Sequence, residues 1–387
     1  MFDLTGRALV LGGGRLQARF IRDATQHGLE VTVLDRDAKT AADLKRLADF
    51  QQVDIRDQAR VLAVARRVRP DFIYSPSTEV GNETAAQVSE ALGLRYNSTR
   101  AVATSRDKRM QRALAAELSG FRSPRAHVAG SPDVTSLLEV VGSVVVKPTG
   151  QSAGRGVSIA RTPEELTQGI ERAAAVSHGG AVLVEERIVG TQFSVETLSV
   201  DGVHSVVAVT KEHMSQPPSA IERSHLMNPS IHAALVSKRL RASIAELLDA
   251  IGVEVGPSHV EVILSGSDLF LIEVATRAGG LRDRLMELAG YPNYNTAIVE
   301  AYLGKLSRSF ETAPSRSALC NILLVPEDLE SVSLGRATGR LTDVDLFRDP
   351  VVGPENIADA FGYAYFASEH GLCDLVLPDM PTAFSAA

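Results

Sequence analysis

The stretch Ser143–Gly156, SVVVKPTGQSAGRG, constrains the chain more than any other. Three consecutive β-branched residues, Val144 to Val146, suit a strand covered on both faces. Lys147 follows at once, so its ammonium rides on a rigid element, and Pro148 stops the strand. Gly150, Ser152, Ala153, Gly154 and Gly156 then form a small-residue loop whose backbone amides stay open to an approaching anion. Arg155 adds a positive charge inside it. A strand-end lysine facing free amides outlines a triphosphate cradle. A Gly-rich hairpin loop with a surface lysine fits the same residues.

The rest of the chain must supply the other side of such a site. With 387 residues, two to three domains or subdomains are expected. A formal net charge of -7 argues against a nucleic-acid partner. No apolar run reaches the ~20 residues of a membrane span, and the N-terminus lacks a leader pattern. Cys320 and Cys373 show neither metal-ligand nor disulfide spacing, so a reducing cytoplasm is the expected location.

The first hundred residues alternate strand and helix, a parallel α/β unit. Arg7 to Leu11 is its first strand and Gly12-Gly13-Gly14 the turn after it. The turn invites a dinucleotide reading, but Gln17 stands where the third glycine of G-x-G-x-x-G belongs. Asp35 ends the second strand, and a structural or small-ligand role is favoured over NAD. Ser105 is expected to cap a helix running to about Ser119, and Lys211 to Pro229 to form a long loop.

Two carboxylates complete the pattern. Ser258–Leu264 and Asp268–Val274 read as a hairpin across Ser265-Gly266-Ser267, which sets Glu261 and Glu273 close across the strands. Both lie among apolar neighbours, and two bare carboxylates buried together need a cation or a shared proton. Mg²⁺ fits, because it takes hard oxygen ligands and bridges phosphates.

From about Asp107 to Gly304 the chain resembles the ATP-grasp superfamily of carboxylate–amine ligases. The resemblance implies an α/β fold of four parts. These are an N-terminal parallel α/β domain (1–100), two ATP-grasp lobes (101–188 and 189–305) and a small β-rich C-terminal subdomain (306–387). It implies that Lys108 and Lys147 contact the nucleotide and that Gln151 to Gly156, with Ser152, Ala153 and Gly154, close over the triphosphate. Glu185, Glu186 and Ile188 in VEERIVG match the hinge that grips adenine, and Gln192 stands where an acidic ribose partner is usual. Glu261 and Glu273 look like the ligands of Mg²⁺, with Mn²⁺ the alternative, and Arg277 like the arginine on the transferred phosphate. Where the family reads E-x-N-x-R, this chain has Ala275, which cannot ligate a metal.

Within the superfamily, FSVETLSVDG, PPSAIERSHLMNP and EVATRAGG resemble the L-amino-acid ligase and carbamoyl-phosphate-synthase-like branch. That likeness implies that the loop histidine His225 reaches the substrate and that Glu196 aims into the same cleft. The implied activity activates a carboxylate, an amino acid first, as an acyl-phosphate. It then joins it to an amine, both small molecules, in a cytoplasmic enzyme that is often a homodimer. A purine-pathway-like carboxylase or formyltransferase is the second reading, and a nucleotide-binding protein without turnover the third.

Overall fold

The structure, a computed structural model, describes residues 5–37, 44–177, 179–215, 220–306 and 310–377. Three sheets carry it. The first is parallel: β1 (Arg7–Leu11), β2 (Glu30–Asp35), β3 (Asp49–Gln52) and β4 (Phe72–Tyr74) lie in the order β3-β2-β1-β4. Ala8 to Leu11 are wholly buried, as a strand covered on both faces requires.

The turn after β1 is held by side chains of the chain itself. Both Asp35 oxygens accept from backbone amides, Gly13 at 2.7 Å and Asp37 at 3.0 Å. Gln17 donates to the Pro76 carbonyl at 2.8 Å, and its carboxamide lies so near Gly14 that a Cβ there would meet Oε1 at 2.9 Å. Asp35 thus takes one amide of the turn, and Gln17 fills the space beside Gly14.

The second sheet holds β5 (Ala126–Val128), β6 (Val144–Pro148), β7 (Ser158–Ala160) and β8 (Val182–Glu186), ordered β5-β8-β6-β7 and antiparallel. β6 is the expected valine strand, with Val144 and Val146 fully buried. The helix expected from Ser105 to about Ser119 runs from Lys108 to Glu117. Its N-cap is Asp107, whose carboxylate accepts from the Arg109 amide, and not Ser105, which belongs to the preceding helix Thr99–Arg106.

The third sheet has eight strands. They are β9 (Thr191–Val200), β10 (Val203–Met214), β11 (Glu222–Met227), β12 (Gly256–Ser265), β13 (Asp268–Ala275), β14 (Ser317–Leu323), β15 (Leu341–Leu346) and β16 (Gly362–Ser368). Their order is β13-β12-β9-β10-β11-β14-β16-β15, so the C-terminal β segments extend the central sheet. The expected long loop at Lys211 is instead a hairpin: β10 runs on to Met214 and pairs antiparallel with β11. Pro217 and Pro218 of that segment lie outside the described residues. Polar residues such as Arg223, Ser224 and His225 disguise β11, yet all three are buried and each has a partner. Among the described residues, no helix is long and apolar enough to cross a membrane.

Candidate nucleotide and metal site

Register builds the site across the third sheet. Glu261 faces Glu273 directly across the β12–β13 pair, and Ser194 of β9 faces Glu261 on the other side. Two pairs further along, on the same face, His259 faces Glu196. Glu212 of β10 pairs with Gln192 on one side and His225 on the other. Because successive side chains alternate between faces, one face of the sheet carries a row of carboxylates and imidazoles.

That row meets the second sheet at a cavity of about 710 Å³. Lys108, Lys147, Glu261 and Glu273 all line it. Lys108 donates to Glu273 at 3.0 Å and to the Gln151 carbonyl at 2.9 Å, joining helix, hairpin and glycine loop. Lys147 pairs with Glu185 at 2.6 Å. Burial strips water from the Lys147 ammonium and Arg112 and Lys108 repel it, so that despite Glu185 its pKa falls to about 8. Burial alone would raise the Glu185 carboxyl, but Lys147 and Arg112 override it and hold the pKa at about 2.

The glycine loop also lines the cavity, through Gln151, Ser152, Ala153 and Gly154. Ala153 (φ 60°), Gly154 (φ 70°) and Gly156 (φ 73°) turn it through left-handed backbone. Gly156 does not reach the cavity: it packs so closely that a Cβ there would meet Val176 at 2.5 Å. The end of β8, the segment after it and the start of β9 also line the cavity, through Glu186, Ile188 and Gln192. The Glu186 carboxylate accepts from Arg125 at 2.9 Å, and Gln192 donates to Glu212 at 2.7 Å. Two carboxylates facing one another beside two ammonium groups form a hard-oxygen donor set that suits a divalent cation. Ala275, 1% exposed, contributes nothing to it.

The profile of the ATP-grasp domain matches residues 140–283, which contain β6, the glycine loop, the hinge and the β12–β13 hairpin. A formate-dependent phosphoribosylglycinamide formyltransferase of Edwardsiella ictaluri is 28% identical over 357 residues, 89% of this chain and 88% of that protein. The L-amino acid ligase of Bacillus licheniformis superposes with a TM-score of 0.73 at 20% identity, covering 94% of this chain and 93% of that one. The N5-carboxyaminoimidazole synthetase of Staphylococcus aureus, solved with ADP, gives a TM-score of 0.71 at 15% identity over 96% and 95%. Residues 140–283 form an ATP-grasp domain.

Besides Gly156, three expected site residues stand away from the cavity. Glu196 is wholly buried, not aimed into the cleft. It accepts from His259 Nδ1 at 2.5 Å and from the Gly279 amide at 3.1 Å, pinning the Gly279-Gly280 turn beneath the sheet. His225 is likewise sealed, 1% exposed, because it sits in a central strand and not in a loop. Its Nδ1 accepts from Arg282 at 2.5 Å, which leaves Nε2–H to donate to Glu222 at 2.6 Å. Burial, then the Arg282 charge, push its pKa well below the usual range, so the ring is neutral. Arg277 turns to the N-terminal unit, pairing with Glu79 at 2.7 Å.

Other residues escape a reading of the sequence. Arg282 donates to Ser194 (3.1 Å), His225 and Glu212 (2.5 Å), a guanidinium spanning three strands. His259 bridges Glu196 and Glu261; burial disfavours its charge, but the two carboxylates raise its pKa to about 10. The i, i+2 spacing of His259 and Glu261 on one strand was the available signal, since such residues share a face. Arg112 and Glu79 gave none, because their partners lie 73 and 198 residues away.

Proposed function

We propose that this chain is an ATP-grasp ligase that phosphorylates a small carboxylate with ATP and passes the acyl group to an amine, releasing ADP and phosphate. One observation carries the reading: two lysines and two register-paired glutamates line a single cavity. Phosphoryl transfer is catalysed mainly by positioning and charge neutralisation, and this arrangement offers both.

In this proposal Lys108, Lys147 and the amides of Gln151 to Gly154 hold the phosphates. Glu186 and Ile188 bound the adenine, and Gln192 with Glu212 meets the ribose. Glu261 and Glu273 would hold Mg²⁺, which when bound neutralises phosphate charge; Mn²⁺ suits the same oxygens. The glycine loop excludes water, which would otherwise hydrolyse an acyl-phosphate.

The relative that matches over nearly the whole chain is named for formate and a phosphoribosylglycinamide. It supports the purine-pathway reading over the joining of two amino acids, for which the support is a likeness of fold. The test is ADP release with Mg·ATP and formate plus an aminated ribonucleotide, then bicarbonate, then amino acids singly and in pairs. Turnover needing formate and the amine supports the proposal. Turnover needing two amino acids moves it to the other branch, and nucleotide binding without turnover under any pair overturns it.

A further inference from the structure

The charges behind Lys147 form a closed set. Arg112 lies one turn beyond Lys108 on the helix Lys108–Glu117, so both project from one face. Arg112 is 5% exposed and sits outside the cavity lining. Its Nε donates to Glu185 Oε1 at 2.6 Å and its Nη2 to Glu185 Oε2 at 3.2 Å, the two-pronged grip a planar guanidinium allows. The same Nη2 donates to the Ile272 carbonyl at 2.7 Å, one residue before Glu273. Arg112 therefore ties the helix of Lys108 to β8 and to β13. Glu185, 3% exposed, is shared between this guanidinium and the Lys147 ammonium.

We propose that Arg112 is a positioning residue of the nucleotide site: it keeps Glu185 paired, so that Lys147 can leave that carboxylate for a nucleotide phosphate. The inference rests on reading the cavity as a nucleotide site. A buried carboxylate deprived of every partner is costly. Without Arg112, moving Lys147 onto a phosphate would strand Glu185, so Lys147 stays tethered to it. With Arg112 in place, Glu185 keeps a partner that cannot lose its proton. The charged groups around Lys147 are Glu185 on β8, Arg112 and Lys108 on the helix, and Glu273 on β13, itself lowered by its cationic neighbours despite burial.

The experiment is calorimetric binding of Mg·ADP to the full chain as wild type, Arg112→Met and Arg112→Met/Glu185→Gln, with thermal melts as a fold control. Wild-type binding tests the nucleotide reading by itself; if it fails, that reading falls and this one with it. Given wild-type binding, Arg112→Met should weaken affinity about tenfold or more, roughly 1.4 kcal/mol. The double variant should recover most of that loss, because a neutral amide no longer retains Lys147. The alkaline fall in affinity should also move to higher pH in Arg112→Met, since a cation that repels the Lys147 ammonium is gone. Wild-type affinity in a folded Arg112→Met overturns the inference. So does a folded double variant that binds no better than the single one. If Arg112→Met does not fold, the double variant decides: affinity near wild type supports the inference, and a loss beyond about tenfold overturns it.

Discussion

Two glycine-rich segments follow a buried strand in this molecule, and they do opposite things. Gly12-Gly13-Gly14 after β1 is closed from within: Asp35 takes the Gly13 amide, and Gln17 fills the space beside Gly14. Gln151–Gly156 after β6 opens onto a cavity of about 710 Å³, with Lys147 at its root and Lys108 bonded to its first carbonyl. Glycine supplies backbone freedom in both; the neighbours decide whether a ligand can use it. A carboxylate beside the first turn takes the Gly13 amide. Ammonium groups beside the second leave its amides for an anion.

Substitution at the root of each segment should separate them most. Lys147→Ala is expected to lower ATP-dependent ADP release about 10²–10³-fold, the scale for losing one preorganised donor. Its counterpart Asp35→Ala should leave Mg·ADP affinity unchanged while costing about 1–3 kcal/mol of stability in denaturant melts, because two backbone amides lose their acceptor. Acidity offers a second separation. Lys147 binds phosphate as a cation, and its pKa is lowered to about 8, so the proton is present below that value and lost above it. Mg·ADP affinity should be flat below about pH 7 and fall as pH rises through about 8, by up to tenfold per unit. Gly156→Ala puts a side chain at φ 73° and 2.5 Å from Val176. It should cost about 1–3 kcal/mol and raise the KM for ATP, read by melts and steady-state kinetics. Gln17→Gly, which completes G-x-G-x-x-G, should have the smallest effect, about 0.5–1.5 kcal/mol from one lost hydrogen bond. It should confer no NAD binding in a fluorescence titration, since Asp35 still holds Gly13.

The hairpin of Glu261 and Glu273 was legible because strand alternation and a short turn fix register locally. The observed turn is Gly266-Ser267, and the two acids are direct partners. The valine strand and its lysine were legible for the same local reason. What stayed hidden depends on residues far apart in the chain. β11 reads as a loop because Glu222-Arg223-Ser224-His225 is polar, yet Arg223 is buried against Asp328 at 2.5 Å, a partner 105 residues on. His225 and Glu196 look like exposed chemistry in the sequence, but each is satisfied inside the sheet by Arg282 or His259. A polar residue in a central strand is legible only once its partner is known, and that knowledge is tertiary.

The continuity of the eight-stranded sheet has one further consequence. β14 covers β11 along Ser224–Met227, and β16 in turn covers β14. A protease nick or a premature stop after Gly304 would strip both away, baring the unpaired amides and carbonyls of β11. Such a fragment would keep the profile-matched segment whole and still be prone to self-association through that raw strand. The profile-matched segment is therefore shorter than the stretch needed to keep β11 covered.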